Sequence, residues 1–362
     1  MPYDRSDSEV KVQHAAPFDM FIEETIRKIS EEDLSGYYRP LRAMEEALQL
    51  GYVPLIYWII GARRIGKTDF FLQLACRLFL DHGVQTMWIR NKQVELSEPG
   101  FYNDFLNDAK HFGWCPEDWY SDASGVWTAD KEQVIKWQSL STFSNRRGAA
   151  HPDVYMMIYD EFIPESRDYP RRPLTAIMSL TKSVFAGKRE ARLFCLSNFV
   201  SLTNPFFAGL RIYPEGEITH FPEKGMLIEK CRGYRCSIES DNPWQNVYRA
   251  AKYGDYQDET EDKLIELVKK LPKKAKSLNY ALIIKGEYYQ PFDTGKYVHW
   301  SHVNTIPHGT LLFATEITEV SDKIPLLPDL LKRNIEICVK SDAIRFDTPN
   351  TLYTIMSLIY NV

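Results

Sequence analysis

The stretch YWIIGARRIGKTDFF, residues 57–71, constrains this chain more than any other. Its apolar, aromatic and β-branched lead-in reads as a buried strand. Gly61-Ala62-Arg63-Arg64-Ile65-Gly66-Lys67-Thr68 then meets the P-loop pattern G-x-x-x-x-G-K-[ST] at every fixed position. A helical pattern follows over residues 69–80, so the loop has the strand before it and the helix after it that the pattern requires. The spacing has a physical reason. Gly61 and Gly66 let the backbone curl until successive N–H groups point inward, and the helix start adds the positive end of its dipole. Such a cradle suits a nucleoside triphosphate, with the Lys67 ammonium on the β- and γ-phosphates and the Thr68 hydroxyl on Mg²⁺. A plain glycine turn with a solvated lysine accounts for less of the pattern.

A second motif lies downstream. The run VYMMIY, residues 154–159, is continuously apolar, as a strand covered on both faces must be, and it leads straight into Asp160-Glu161. Asp160 at the strand tip would hold Mg²⁺ through its water shell. Glu161 would aim the water attacking the γ-phosphate and accept its proton. Taken alone, such a run can be an ordinary strand end; after a full P-loop it carries weight. The absence of an N-K-x-D guanine-reading motif (Asn91-Lys92 continues as Gln-Val) favours ATP over GTP.

Other candidates have two readings each. Ser197-Asn198, ending the strand RLFCL, is a γ-phosphate sensor or a strand-end turn. Arg90, ending the strand VQTMWIR, reaches Glu161 or is an exposed cation. Arg146-Arg147-Gly148 and Lys188-Arg189 read as basic loops near the sheet's active edge, able to reach a neighbouring subunit's phosphates or simply solvated. His151, His220 and the tryptophans 114, 119, 127 and 137 read as structural.

At 362 residues the length prior allows two or three domains. Strands alternating with helices argue an α/β, mostly parallel sheet flanked by helices. The sequence divides into a helical N-terminal extension (1–50), a P-loop ATPase domain (51–214), a polar linker with one helical stretch, DETEDKLIELVKKL (215–275), and a smaller α+β domain (276–362). The segments 126–128 and 134–140 read as an inserted hairpin. The last domain carries the strands YALIIKGEYYQPF, KYVHWSHV and TLLFATEI, a helix over 326–334, the segment IEICVKS, and a closing helix from 350. Net charge is −5, so contact with nucleic acid must come from a local patch rather than an overall basic field. The six cysteines are scattered without a zinc spacing. Neither a signal layout nor an apolar run of membrane length is present, which predicts a soluble intracellular protein with no membrane partner.

The segments IIGARRIGKT, WIRNK, WQS…RRGAAHPDV, IYDEFIPE and VFAGKREARLFCLSNFVSLTNPFF resemble, in unbroken order from residue 55 to 207, the φ29-type DNA packaging ATPases of small tailed phages, relatives of the terminase large subunits. A weaker likeness runs from 279 to the C-terminus. The resemblance implies a homomeric ring, typically pentameric, docked on the phage portal in the infected bacterial cytoplasm and driving double-stranded DNA into a preformed capsid. It leaves open whether a structural packaging RNA joins that contact. It implies that Gly61 to Thr68 form the phosphate loop, that Asp160 and Glu161 are the metal and catalytic pair, and that Asn198 is a coupling residue. Arg90 resembles the arginine that restrains the catalytic glutamate until DNA is gripped, and Arg147 one that acts across the subunit boundary. Where the family has a second such arginine this chain has Ala186, so Lys188 or Arg189 must substitute, or the role has moved elsewhere in the chain. The C-terminal domain resembles an RNase H-type fold that has lost nuclease activity. YALIIK carries no aspartate, and Glu287, Asp293, Glu316 and Asp342 fall in loops or at strand ends.

The resulting reading is an ATP-hydrolysing motor that translocates viral double-stranded DNA, gripping its phosphates through cations such as Lys92 without regard to sequence. The alternatives are a terminase that also cuts DNA, and a nucleotide-gated scaffold without productive turnover.

Overall fold

A computed structural model describes residues 17–32, 37–63, 65–142, 151–164, 166, 168–188, 191–198, 203–231 and 267–360. Two sheets organise them. The first has nine strands: β1 (Ile56–Gly61), β2 (Gln85–Arg90), β3 (Tyr120–Asp122), β4 (Gly125–Trp127), β5 (Gln133–Ser139), β6 (Val154–Asp160), β7 (Arg192–Ser197), β8 (Ile218–Phe221) and β9 (Met226–Cys231). Their order is β3-β4-β5-β2-β6-β7-β1-β9-β8. Neighbours from β5 through β9 run parallel, and only the outer β3, β4 and β8 are antiparallel.

The central strands β1, β6 and β7 are apolar over most of their length because both faces are covered. Alternation assigns the faces of β1: Ile56, Trp58 and Ile60 join one core cluster, and Tyr57 and Ile59 the other. The second cluster packs beneath helices α1 (Pro17–Glu32), α2 (Leu41–Gln49), α3 (Lys67–His82) and α5 (Pro99–His111); the short α4 (Gln93–Ser97) joins it through Leu96. The first cluster continues through α6 (Pro173–Val184) and α7 (Pro205–Leu210) into the second sheet. One apolar layer therefore serves both units.

The second sheet is mixed. It comprises β10 (Lys276–Ser277), β11 (Tyr280–Ile284), β12 (Glu287–Asp293), β13 (Val298–Val303), β14 (Leu311–Ala314) and β15 (Ile344–Phe346). The order is β14-β11-β12-β13-β15, with β10 pairing β12. Helices α8 (Asp329–Lys340) and α9 (Pro349–Tyr360) complete it. Tyr360 donates its hydroxyl to the Thr203 carbonyl at 2.9 Å and packs its ring edge against Tyr169, tying α9 back to the first unit.

Four sequence expectations change. The first sheet does not stop at residue 214, because β8 and β9 extend it to Cys231 within the stretch expected to be linker. Their polar residues misled: Glu229 is buried in β9, where its carboxylate accepts the Tyr38 hydroxyl at 2.7 Å. Residues 133–139 are no insertion, since β5 pairs β2 in parallel and is a full member of the sheet. IEICVK, residues 335–340, belongs to α8, whose buried Ile335 and Val339 lie one helical turn apart. Most of the expected helix at 258–271 lies outside the described residues, and its described tail, 267–271, is not helical. Among the described residues, no helix is long and apolar enough to cross a membrane.

Candidate active site

Parallel pairing brings four strand ends to one edge. Ile60 stands opposite Ser197, Leu196 opposite Asp160, and Tyr159 opposite Ile89. Gly61, Asn198, Asp160 and Arg90 therefore emerge together at the carboxyl ends of the strands, where open α/β sheets place their ligands.

The loop after β1 is shaped by its two glycines. Gly66 has φ +85°, and a Cβ there would lie 3.0 Å from the Tyr37 Cβ. Gly61 is confined by its neighbour strand, since a Cβ would meet the Cys231 Cβ at 2.6 Å. Gly66 also caps α3, and it has no side chain with which to cap. The amides of the first turn thus face outward from a 16-residue helix, an arrangement suited to an anion. Lys67 is buried and donates to the Gly61 carbonyl at 3.0 Å and the Ala62 carbonyl at 2.6 Å. Burial lowers its pKa to about 8. An ammonium whose hydrogen-bond acceptors, among the described residues, are neutral carbonyls has a strong demand for negative charge. Thr68 sits half-buried in the first turn of α3, Ala62 and Ile65 are buried beneath the loop, and Arg63 is half-buried. Arg64 lies outside the described residues.

Across the edge, Arg90 holds two acids. Its guanidinium is 3.4 Å from the Asp160 carboxylate and 2.7 Å from that of Glu161, and it lies over the Phe101 ring at 5.3 Å. Burial pushes the Asp160 pKa up, while Arg90 pulls it back. Burial also opposes the charge on Arg90, but Asp160, Glu161 and Glu95 outweigh it and raise its pKa. Glu161 has φ +53°, a conformation that costs a non-glycine residue on the order of 1 kcal/mol. Its carbonyl accepts from Asn91 Nδ2 at 2.8 Å, and Asn91 Oδ1 accepts the Tyr159 hydroxyl at 2.5 Å. Sequence reasoning passed over Asn91. The only signal available was its place directly after the strand-end arginine.

Asn198 lies half-buried just past β7, on the same edge. Lys188 does not share it. Its ammonium donates to the carbonyls of His151 and, at 2.8 Å, Val154, at the start of β6. That places it about 20 Å along the strand from Asp160, which corrects the expectation that it flanks the active edge. Glycine 187 turns the chain after α6 back beneath the sheet, so the loop closes on the amino ends of the strands. Arg147 and Arg189 lie outside the described residues. Lys92, expected to be available to DNA, is paired with Asp168 at 2.8 Å. In the second sheet Glu287 and Asp293 occupy opposite ends of β12, about 20 Å apart, so they cannot converge on one metal pair.

Among known proteins, the DNA packaging protein of Bacillus phage B103 is 28% identical over 215 residues, covering 59% of this chain and 63% of that protein. The DNA packaging protein of Bacillus phage phi29 is 27% identical over 199 residues, 51% of this chain and 52% of that one. The chain thus spans a little over half the length of these curated relatives. Two solved structures share the fold across nearly the whole chain. The Phi-28 gp11 DNA packaging motor superposes with a TM-score of 0.61 at 15% identity, covering 91% of this chain and 99% of that one. The bacteriophage Phi-29 viral genome packaging motor assembly does so at 0.59 and 19%, covering 90% and 100%. Residues 33–229, which hold the glycine loop, the acid pair and all of the first sheet but the last two residues of β9, match the Podovirus DNA encapsidation protein (Gp16) family, and the chain belongs to it.

Proposed function

We propose that this chain is the ATP-hydrolysing subunit of a motor that drives double-stranded viral DNA into a preformed capsid. The observation that carries the reading is the edge on which a buried, charge-starved lysine and an arginine-clamped Asp160-Glu161 pair face one another across an uncapped helix start. Family membership and the names of the relatives support the same direction.

The loop residues Gly61 to Thr68 would receive the triphosphate, with Lys67 turning from its own carbonyls to phosphate oxygens. Thr68 and Asp160 are the residues suited to Mg²⁺, a hard cation that takes hydroxyl and carboxylate oxygens. Bound there, the ion would neutralise charge developing on the phosphates. Glu161, once free of Arg90, would orient a water molecule and take its proton. Asn198, between the loop and the acids, would report on the γ-phosphate. Arg147 or Arg189 would complete a neighbour's site in a ring, a head-to-tail arrangement that closes by rotation. Lys188, held at the far end of β6, would serve such a role only from the opposite face of the subunit. The second sheet, in the RNase H-like reading, would contact DNA, the portal or a packaging RNA rather than cut.

The test is steady-state ATP turnover with and without duplex DNA, read beside particle mass. DNA-stimulated turnover by an assembled ring supports the motor. Nucleotide binding without turnover would leave the scaffold reading standing instead.

A further inference from the structure

Asn91 joins three segments that the proposed chemistry needs in register. Its side chain is buried, with Nδ2 on the Glu161 carbonyl and Oδ1 on the Tyr159 hydroxyl. Only one orientation of the amide satisfies both neighbours. A main-chain carbonyl can only accept, so the NH₂ group must face Glu161, and the amide oxygen is left for Tyr159.

We propose that Asn91 is a positioning residue that locks the main chain of Glu161 in its left-handed turn and thereby aims the Glu161 carboxylate. The inference rests on the reading of Glu161 as the base. A non-glycine residue stays at positive φ only where its surroundings over-determine it. Here the surroundings are three hydrogen bonds. The Glu161 amide donates to Asp160 Oδ1 at 3.1 Å, the Phe162 amide donates to the Leu196 carbonyl at 3.1 Å, and the Glu161 carbonyl accepts from Asn91. The first is a bond to the adjacent residue and follows the turn wherever it goes. The second ties the chain to β7. Asn91 alone fixes the peptide group between Glu161 and Phe162 from the β2 side.

The lock has its own anchors. Tyr159 is fully buried, so its hydroxyl cannot leave for solvent and holds the amide at fixed rotation. The Asn91 main chain is held by the Ser141 amide at 3.1 Å, just past the end of β5. Arg90 and Asn91 therefore act on the same residue in different ways. Arg90 grips the carboxylate and must release it for proton transfer, whereas Asn91 grips the main chain and can keep its bond throughout. Asn91 sets where the carboxylate stands after release.

The test uses the full chain with Asn91→Asp, Asn91→Ala and Tyr159→Phe. Asn91→Asp keeps the Tyr159 bond but sets an acceptor against the Glu161 carbonyl. In each Asn91 variant kcat for ATP should fall about tenfold to a hundredfold with KM unchanged, as for a misaimed group. Amide hydrogen exchange over residues 161–164, measured without nucleotide, should accelerate. Tyr159→Phe should give a smaller effect of the same kind and add nothing to Asn91→Ala. Exchange at the parent's rate in Asn91→Ala and Tyr159→Phe overturns the proposal, as does an equal change in KM with kcat intact. A parent chain without ATP turnover would sink the reading of Glu161, and the exchange rates alone would then decide whether Asn91 locks that turn.

Discussion

Arg90 stands 2.7 Å from Glu161 and 3.4 Å from Asp160, so one guanidinium serves both acids at the end of β6. Asp160 is almost wholly enclosed. Arg90→Leu would leave that carboxylate buried without its cation, a loss of about 3 kcal/mol by the usual cost of breaking a buried pair. Urea unfolding should show it as a lower midpoint at unchanged slope. A variant as stable as the parent would mean that solvent, not Arg90, supports Asp160.

Glu161→Gln keeps shape and the Asn91 bond to the main chain but removes the proton acceptor. Nucleotide binding should persist while turnover drops by at least about 100-fold. Turnover near the parent's level would show that another group activates the water.

Lys67 gives a pH signature with a defined sign. Burial lowers its pKa to about 8, below the ordinary 10.5 that the unfolded chain retains. Between those values the unfolded state binds the extra proton, so stability without nucleotide rises with pH across this window. Affinity for a triphosphate moves the other way, because the free protein loses its ammonium above pH 8. Thermal midpoints from pH 7.5 to 10 should therefore climb more steeply in the parent than in Lys67→Met; parallel curves would place the titration elsewhere.

Gly61→Ala forces a Cβ to within 2.6 Å of the Cys231 Cβ. Overpacking of this kind costs about 1–3 kcal/mol. Cys231→Gly removes the obstructing atom, so the double variant should recover part of the stability lost. No recovery would show that Gly61 is required by its own backbone rather than by its neighbour.

Lys188→Ala tests the relocation of that residue. It would uncover two carbonyls at the start of β6, with a stability loss of about 1 kcal/mol. Slower exchange or unchanged stability would contradict a capping role.

What the sequence made legible is local. The strand, loop and helix around Lys67 follow from glycine spacing and apolar runs between Ile56 and His82, and the acid pair follows from a strand too apolar to be exposed. Long-range partners were hidden. Glu229 looked like surface charge because its acceptor role depends on Tyr38, 191 residues away. Asn91 stood out only as the start of an incomplete guanine-reading motif, because Tyr159 and Glu161 reach it only through the β2–β6 pairing. Lys188 reads as near Asp160, which ends β6, although its loop leads into β7 and, in a parallel pair, must lie at the amino ends of both strands. IEICVKS reads as separate from the helix over 326–334, whereas the buried Ile335–Val339 face carries α8 on to Lys340.

The pairing of Gly61 with Cys231 has a mechanical side. Cys231 is the last residue of β9, so the chain that runs on toward the second sheet departs from beside the first glycine of the loop. Tension along that connection would be borne by the β1–β9 backbone ladder, loaded in shear, and would reach the loop before it reached Asp160 or Glu161. In the motor proposed above, a hauled load would be felt directly at the triphosphate loop.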